Sequence, residues 1–190
     1  MSWIRTIPED EAQGELAELY RRVGNPDGSV DNVMKIHSLN PTTLRTHFEM
    51  YKAALHGRSP LSRAERELVA VAVSRANGCA YCLTHHRAGL ERLWPEERRA
   101  SAAAVAEGGR DGLDARETAL VDYAEKLTDT PDAMQAGDVD ALRAVGLEDD
   151  AILDLAQVVG YFNYVNRIVT GLGVSLGVGE GPPGQWPQPG

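Results

Sequence analysis

The sequence predicts an all-α protein, an orthogonal bundle of about seven to nine helices. Apolar residues recur at three- and four-residue spacing along most of the chain, as helices that bury one face require. Helix-start signals, a Ser, Asp or Asn followed by Glu or Pro, precede several of these stretches. Strand-like alternation recurs nowhere, and no βαβ pattern surrounds the two cysteines, which argues against a thioredoxin fold. With 190 residues the chain suits one domain, assigned to residues 1–178, followed by a Gly/Pro-rich tail over 179–190.

Residues 1–8 read as extended, ending at Ile7-Pro8. Ala12, Leu16, Leu19, Tyr20 and Val23 mark an amphipathic helix over 9–23, with acidic residues in its first turn. Residues 24–28 are a loop, and a short helix follows from Asp31 to Leu39. Asn40-Pro41, an N-cap with proline at the first helical position, opens a helix through Leu44, Phe48, Tyr51 and Leu55 that Gly57 closes. Ser62 and Glu65 form a capping box. The helix they start carries Leu68, Val71, Ala72 and Arg75 one turn apart and ends at Asn77-Gly78. Another helix begins at or just before Cys79.

Pro95 opens an alanine-rich helix closed by Gly108-Gly109. Asp114 caps a helix to about Leu127, repeating the capping chemistry of Ser62. A short helix spans Asp138 to Val145. The last, Asp149 to about Leu172, is the most apolar, which suits a buried position or an oligomer contact. The tail reads as disordered, with docking of Trp186 onto a neighbouring subunit as the alternative.

A net charge of −9 leaves no basic stripe to neutralise phosphates, which excludes a nucleic-acid partner. No apolar run approaches the length of a membrane span. Glu9, Asp10 and Glu11 stand where a signal peptide would be apolar, so a cytoplasmic location is expected. In that reducing compartment, two cysteines at C-x-x-C spacing point to redox or metal chemistry rather than a structural staple.

Those cysteines stand in Cys79-Ala80-Tyr81-Cys82, followed by His85 and His86, with Glu67 twelve residues upstream of Cys79. At about 100° per residue, Cys79, Cys82 and His86 share one helical face. His85 lies roughly 60° to the far side of Cys82, so His86 is the better partner. Free N–H groups and the dipole at a first turn favour a thiolate. A thiolate that attacks a peroxide oxygen becomes a sulfenic acid, and a second thiol converts it to a disulfide. An imidazole oriented by a carboxylate supplies the proton route.

Zinc is the competing reading, with Cys79, Cys82, His86 and Glu67 as ligands. Three ligands within eight residues on one helical face make tetrahedral closure awkward, so neither metal nor cofactor is expected. A c-type haem is excluded because Leu83 follows Cys82. From the residues alone, Glu67 equally suits a surface ion pair with Arg63 or Arg66, and His86 a surface position. His37, His47 and His56 are assigned to core or surface roles. Asn163, Asn166 and Arg167 suit either the pocket or, preferably, an interhelical network.

A Glu, a Cys twelve residues on, a second Cys three later and a His four after that resembles the alkylhydroperoxidase D core. Glu67, Cys79, Cys82 and His86 match it position for position. With WIRTIPEDEAQGELAELY near the start and YFNYVNRIVTGLGV near the end, the wider chain resembles the peroxidase-related branch of the carboxymuconolactone decarboxylase superfamily. Tyr81 departs from the best-known alkylhydroperoxidase D pattern, which has a histidine before the second cysteine.

The resemblance implies an alkylhydroperoxidase D-like bundle and a thiol-dependent, peroxiredoxin-type peroxidase, an antioxidant oxidoreductase acting on alkyl hydroperoxides. It implies Cys82 as the attacking thiol, Cys79 as the resolving thiol and proton donor, and His86 with Glu67 as the proton route. It also implies a lipoyl or thioredoxin-like dithiol as reductant, and a homo-oligomer (dimer, trimer or hexamer). The alternatives are a disulfide exchanger or redox sensor using the same pair, and a lactone decarboxylase using the pocket. Decarboxylases of the superfamily usually lack the C-x-x-C.

Overall fold

In the computed structural model, residues 2–176 are described, and nine α-helices make up most of them. These are α1 (Gly14–Val23), α2 (Asn32–Lys35), α3 (Pro41–Tyr51), α4 (Arg63–Ala76), α5 (Ala80–Leu93), α6 (Arg99–Ala106), α7 (Ala115–Asp129), α8 (Ala136–Ala144) and α9 (Asp149–Gly171). No strand occurs among the described residues, as the sequence predicts. The tail over 179–190, Trp186 included, lies outside them. No described helix is long and apolar enough to cross a membrane.

The capping boxes form as read. Glu65 N–H donates to Ser62 Oγ at 3.1 Å while Ser62 N–H donates to Glu65 Oε2 at 2.7 Å. Asp114 and Glu117 repeat the exchange at the start of α7. The first helix departs from expectation, because Glu9–Glu11 is a separate 3₁₀ turn and α1 begins only at Gly14. Glu9 is held elsewhere: its carboxylate accepts from Val30 N–H at 2.8 Å and pairs with Lys35 at 2.7 Å. After α3 the chain takes a π-helical turn over Lys52–His56 before Gly57.

The centre of the bundle is α4, which packs on α5, α6, α7 and α9. Arg66 through Ser74 are all buried, so this helix is covered on every side rather than on the single face its periodicity marks. Leu68, Val71 and Ala72 join Leu90, Trp94 and Val105 in one cluster. Val69, Ala70 and Val73 face the larger cluster that includes Leu155 and Phe162 of α9. The apolar surplus of α9 serves the core of its own chain, with Leu153 and Tyr164 as its exposed large side chains.

His37, just past α2, and His47 of α3 are buried and stacked, with ring centroids 4.4 Å apart. Neither nitrogen of His47, nor Nε2 of His37, has a hydrogen-bond partner among the described residues. Burial holds His37 down at about 4. Burial and the neighbouring His37 hold His47 at about 3. The unfolded chain takes up these protons near pH 6.5 and the folded chain does not. Stability is therefore full above about pH 6.5 and falls with acidification, by up to about 1.4 kcal/mol per pH unit for each ring. The thermal midpoint should drop from pH 7 to pH 5, and His47→Phe should flatten that drop. An unchanged slope in the variant would place its source elsewhere.

Candidate active site

The turn between α4 and α5 sets the cysteines. Gly78 takes φ 64, a left-handed value suited to glycine. Its N–H donates to Arg75 O, and that of Cys79 reaches back to Ser74 O, each at 2.9 Å. This is a Schellman closure of α4. Cys79 is thus both the residue that closes α4 and the N-cap of α5, with Cys82 in the first turn that follows.

Glu67, the most deeply placed acid among the described residues, binds a different partner with each oxygen. His86 Nδ1 lies 2.6 Å from Oε2, and Arg63 Nη2 lies 2.6 Å from Oε1. Burial opposes the charge, but His86 and then Arg63 outweigh it and hold the carboxyl near about 2. An ionised carboxylate only accepts, so His86 Nδ1 carries the hydrogen. That leaves Nε2 as the nitrogen that can exchange a proton with the cleft. Phe162 meets the imidazole edge-on at 4.6 Å and fixes its plane. The ion pair with Arg63 and the contact with His86, alternatives on the sequence alone, coexist because a carboxylate has two oxygens.

Both cysteines are reduced and buried. A hydrogen bond from the Cys82 thiol pulls Cys79 down to about 6 against burial, helped by the Cys82 backbone N–H, Thr170 and the nearby His86. Cys82 moves up, because it donates that bond and lies buried beside the Cys79 charge. The resting pair therefore holds its charge on Cys79, whereas the resemblance assigns attack to Cys82. Passing one proton along the S–H···S bond interconverts the two states.

Cys82 opens onto a cleft of about 150 Å³ that His86, Glu67, His85 and Tyr81 also line. Cys79 is not among the residues that line it. His85 stacks on Tyr81 at 4.3 Å, so the histidine the helical wheel set aside faces the same space as His86. The sequence reading also missed Arg63 and His56 as parts of this wall. His56, for which the sequence suggests a core or surface role, lies against Arg63 at 2.6 Å and Tyr51 Oη at 3.0 Å. Gly89 was missed as well. A methyl there would stand 3.2 Å from the Glu67 carboxylate, and a glycine inside a predicted helix was the available signal.

Residues 41–107 match the carboxymuconolactone decarboxylase family. The fold matches the crystal structure of an uncharacterized peroxidase-related protein from Silicibacter sp. TM1040, with 30% identity and TM-score 0.74. That match covers 93% of this chain and 89% of the other. The chain belongs to the carboxymuconolactone decarboxylase superfamily, in its alkylhydroperoxidase D-like branch. A second structure, an alkylhydroperoxidase D core protein from Ralstonia eutropha JMP134 described as peroxidase-related, aligns at 27% identity and TM-score 0.82 over 93% of each chain. The uncharacterized protein YdfG of Bacillus subtilis (strain 168) is 25% identical over 116 residues, 61% of this chain and 78% of its own length.

In this family member Tyr81 is buried at the cleft wall. The asparagines of α9 form the expected interhelical network: Asn77 donates to Asn163 and Asn166, each at 3.1 Å. Asn166 also touches Cys82, so the network braces the thiol pair from behind. Arg167 bonds back to Asn163 and is not part of the cleft wall.

Proposed function

We propose that this family member is a thiol-dependent peroxidase that reduces organic hydroperoxides. The observation that carries the reading is the pair of buried free thiols at the start of α5, Cys79 and Cys82, with Cys82 lining a cleft beside the Glu67-oriented His86. The Cys82 proton passes to Cys79 as the Cys82 sulfur attacks the terminal peroxide oxygen. The O–O bond breaks, giving a Cys82 sulfenic acid and an alkoxide; His86 Nε2 takes up a solvent proton and passes it to the alkoxide, which leaves as the alcohol. The Cys79 sulfur then attacks Cys82, its proton leaves with the hydroxyl as water, and a disulfide forms. A lipoyl or thioredoxin-like dithiol reduces that disulfide, returning both thiols and leaving itself oxidised. We assign the working enzyme to antioxidant defence in the cytoplasm, as a homo-oligomer.

The test is turnover with a panel of neutral and acidic hydroperoxides and several dithiol donors. Hydroperoxide loss should equal dithiol oxidation, and mild peroxide treatment alone should remove two hydrogens from the protein's mass, reversibly. Dithiol oxidation driven by other disulfides but never by peroxide would instead identify a disulfide exchanger. Two inert thiols would refute both.

A further inference from the structure

We propose that the cleft selects hydroperoxides that carry a carboxylate, bound by Arg92 at the mouth and by His85 Nε2 from the wall; this rests on the peroxidase reading above. The chain carries a net charge of −9, yet the charges lining the cleft run the other way. Glu67 is the acid among its lining residues, and His86 and Arg63 occupy both its oxygens. Arg92 also lines the cleft and makes no hydrogen bond or ion pair with the described residues. The other arginine of α5, Arg87, is paired with Glu91 at 2.8 Å. An anion entering the cleft thus meets a guanidinium that no acid offsets, in a space that excludes part of the screening water.

His85 supplies a second contact. Its Nε2 is buried without a hydrogen-bond partner among the described residues, and stacking on Tyr81 fixes the ring. Burial first, then the charges of His86 and Arg92, keep it neutral, at about 4. The ring therefore retains one N–H to donate. His85 and Arg92 are seven residues apart on α5 and so share a face, and the influence of Arg92 on His85 places the two side chains in one neighbourhood. The remaining wall is largely apolar, with Val33, Met34, Leu93 and Val165 suited to a hydrocarbon body.

Helix register sets the length of that body. Ten residues from Cys82 to Arg92 span about 15 Å of rise, and the arginine side chain leans back toward the N-terminal turn. The carboxylate and the peroxide oxygens then sit on the order of 10 Å apart, separated by several carbons. A volume of about 150 Å³ is small for a ligand pocket and admits a short or medium chain.

Octanoate and octanamide, equal in shape and different in charge, test the site in the reduced protein by calorimetric titration. Octanoate should bind about tenfold more tightly. That preference should vanish in Arg92→Gln, persist in Arg92→Lys and shrink with added salt. Equal affinities, a preference that survives Arg92→Gln, or no binding of either compound would overturn the proposal. Neither compound is turned over. Octanoate preference in a protein that reduces no hydroperoxide would therefore sink the peroxidase reading and keep the anion site, and turnover without the preference would do the reverse.

Discussion

Cys82→Ser is expected to abolish hydroperoxide reduction, whereas Cys79→Ser should still attack once and stop at a sulfenic acid. The asymmetry follows from position. Cys82 lines the cleft and Cys79 does not, so a peroxide oxygen reaches the first sulfur and not the second. Yet the resting charge lies on Cys79, which makes Cys79 the acceptor of the Cys82 proton. Its loss should slow the first attack by about a hundredfold, the low end for a positioned proton acceptor, without removing the nucleophile. A sulfenic-acid probe with mass spectrometry reads the result directly. Label at Cys79 in Cys82→Ser, with none at Cys82 in Cys79→Ser, would invert the roles. No label in either variant, with no turnover by the wild type, would end the peroxidase reading.

What the sequence makes legible is local. The Ser62–Glu65 and Asp114–Glu117 boxes lie within four residues of chain, and both form. Asn77-Gly78 marks a turn for the same reason. The Glu67–His86 bond joins residues nineteen apart on two helices, and spacing alone leaves Glu67 with Arg63 as the nearer partner. The family resemblance brings His86 in, and the two oxygens of one carboxylate accommodate both. His56 enters the site from the π-helical turn after α3, through packing that no motif announces. The start of α1 fails for a related reason, since Glu9 looks like a first-turn acid until Val30 and Lys35, far along the chain, capture it. Hydropathy marks α9 as the most apolar helix, suited to a buried position or an oligomer contact. The fully enclosed one is α4, whose arginines and glutamates disguise it because Arg66 and Glu67 are buried with partners.

Glu67→Gln should lower peroxide turnover by about a hundredfold or more, the scale of a positioned acid–base group. The amide has one accepting end for two donors. If its oxygen stays with Arg63, its NH₂ faces His86 Nδ1 and favours the tautomer protonated at Nε2, which cannot accept a proton. If the oxygen turns to His86, the NH₂ opposes the Arg63 guanidinium. The second arrangement leaves a donor unmatched, at about 1–3 kcal/mol, so circular dichroism must accompany the kinetics. The loss should be greatest near neutral pH, where an unassisted thiol is mostly protonated. The folded Glu67 carboxyl sits near about 2 against 4.5 in the unfolded chain. Its contribution to stability is thus present above about pH 4.5 and lost as pH falls toward 2, and the variant should lack that part of the acid transition. Gly89→Ala attacks the same carboxylate without changing its charge. Its methyl meets Glu67 at 3.2 Å, and two bonds of 2.6 Å leave the carboxylate little freedom to move aside. A helical Gly→Ala change ordinarily stabilises by about 0.5–1 kcal/mol; here that gain should be cancelled while turnover falls about tenfold. Wild-type rates in both variants would show that the carboxylate does not position the imidazole.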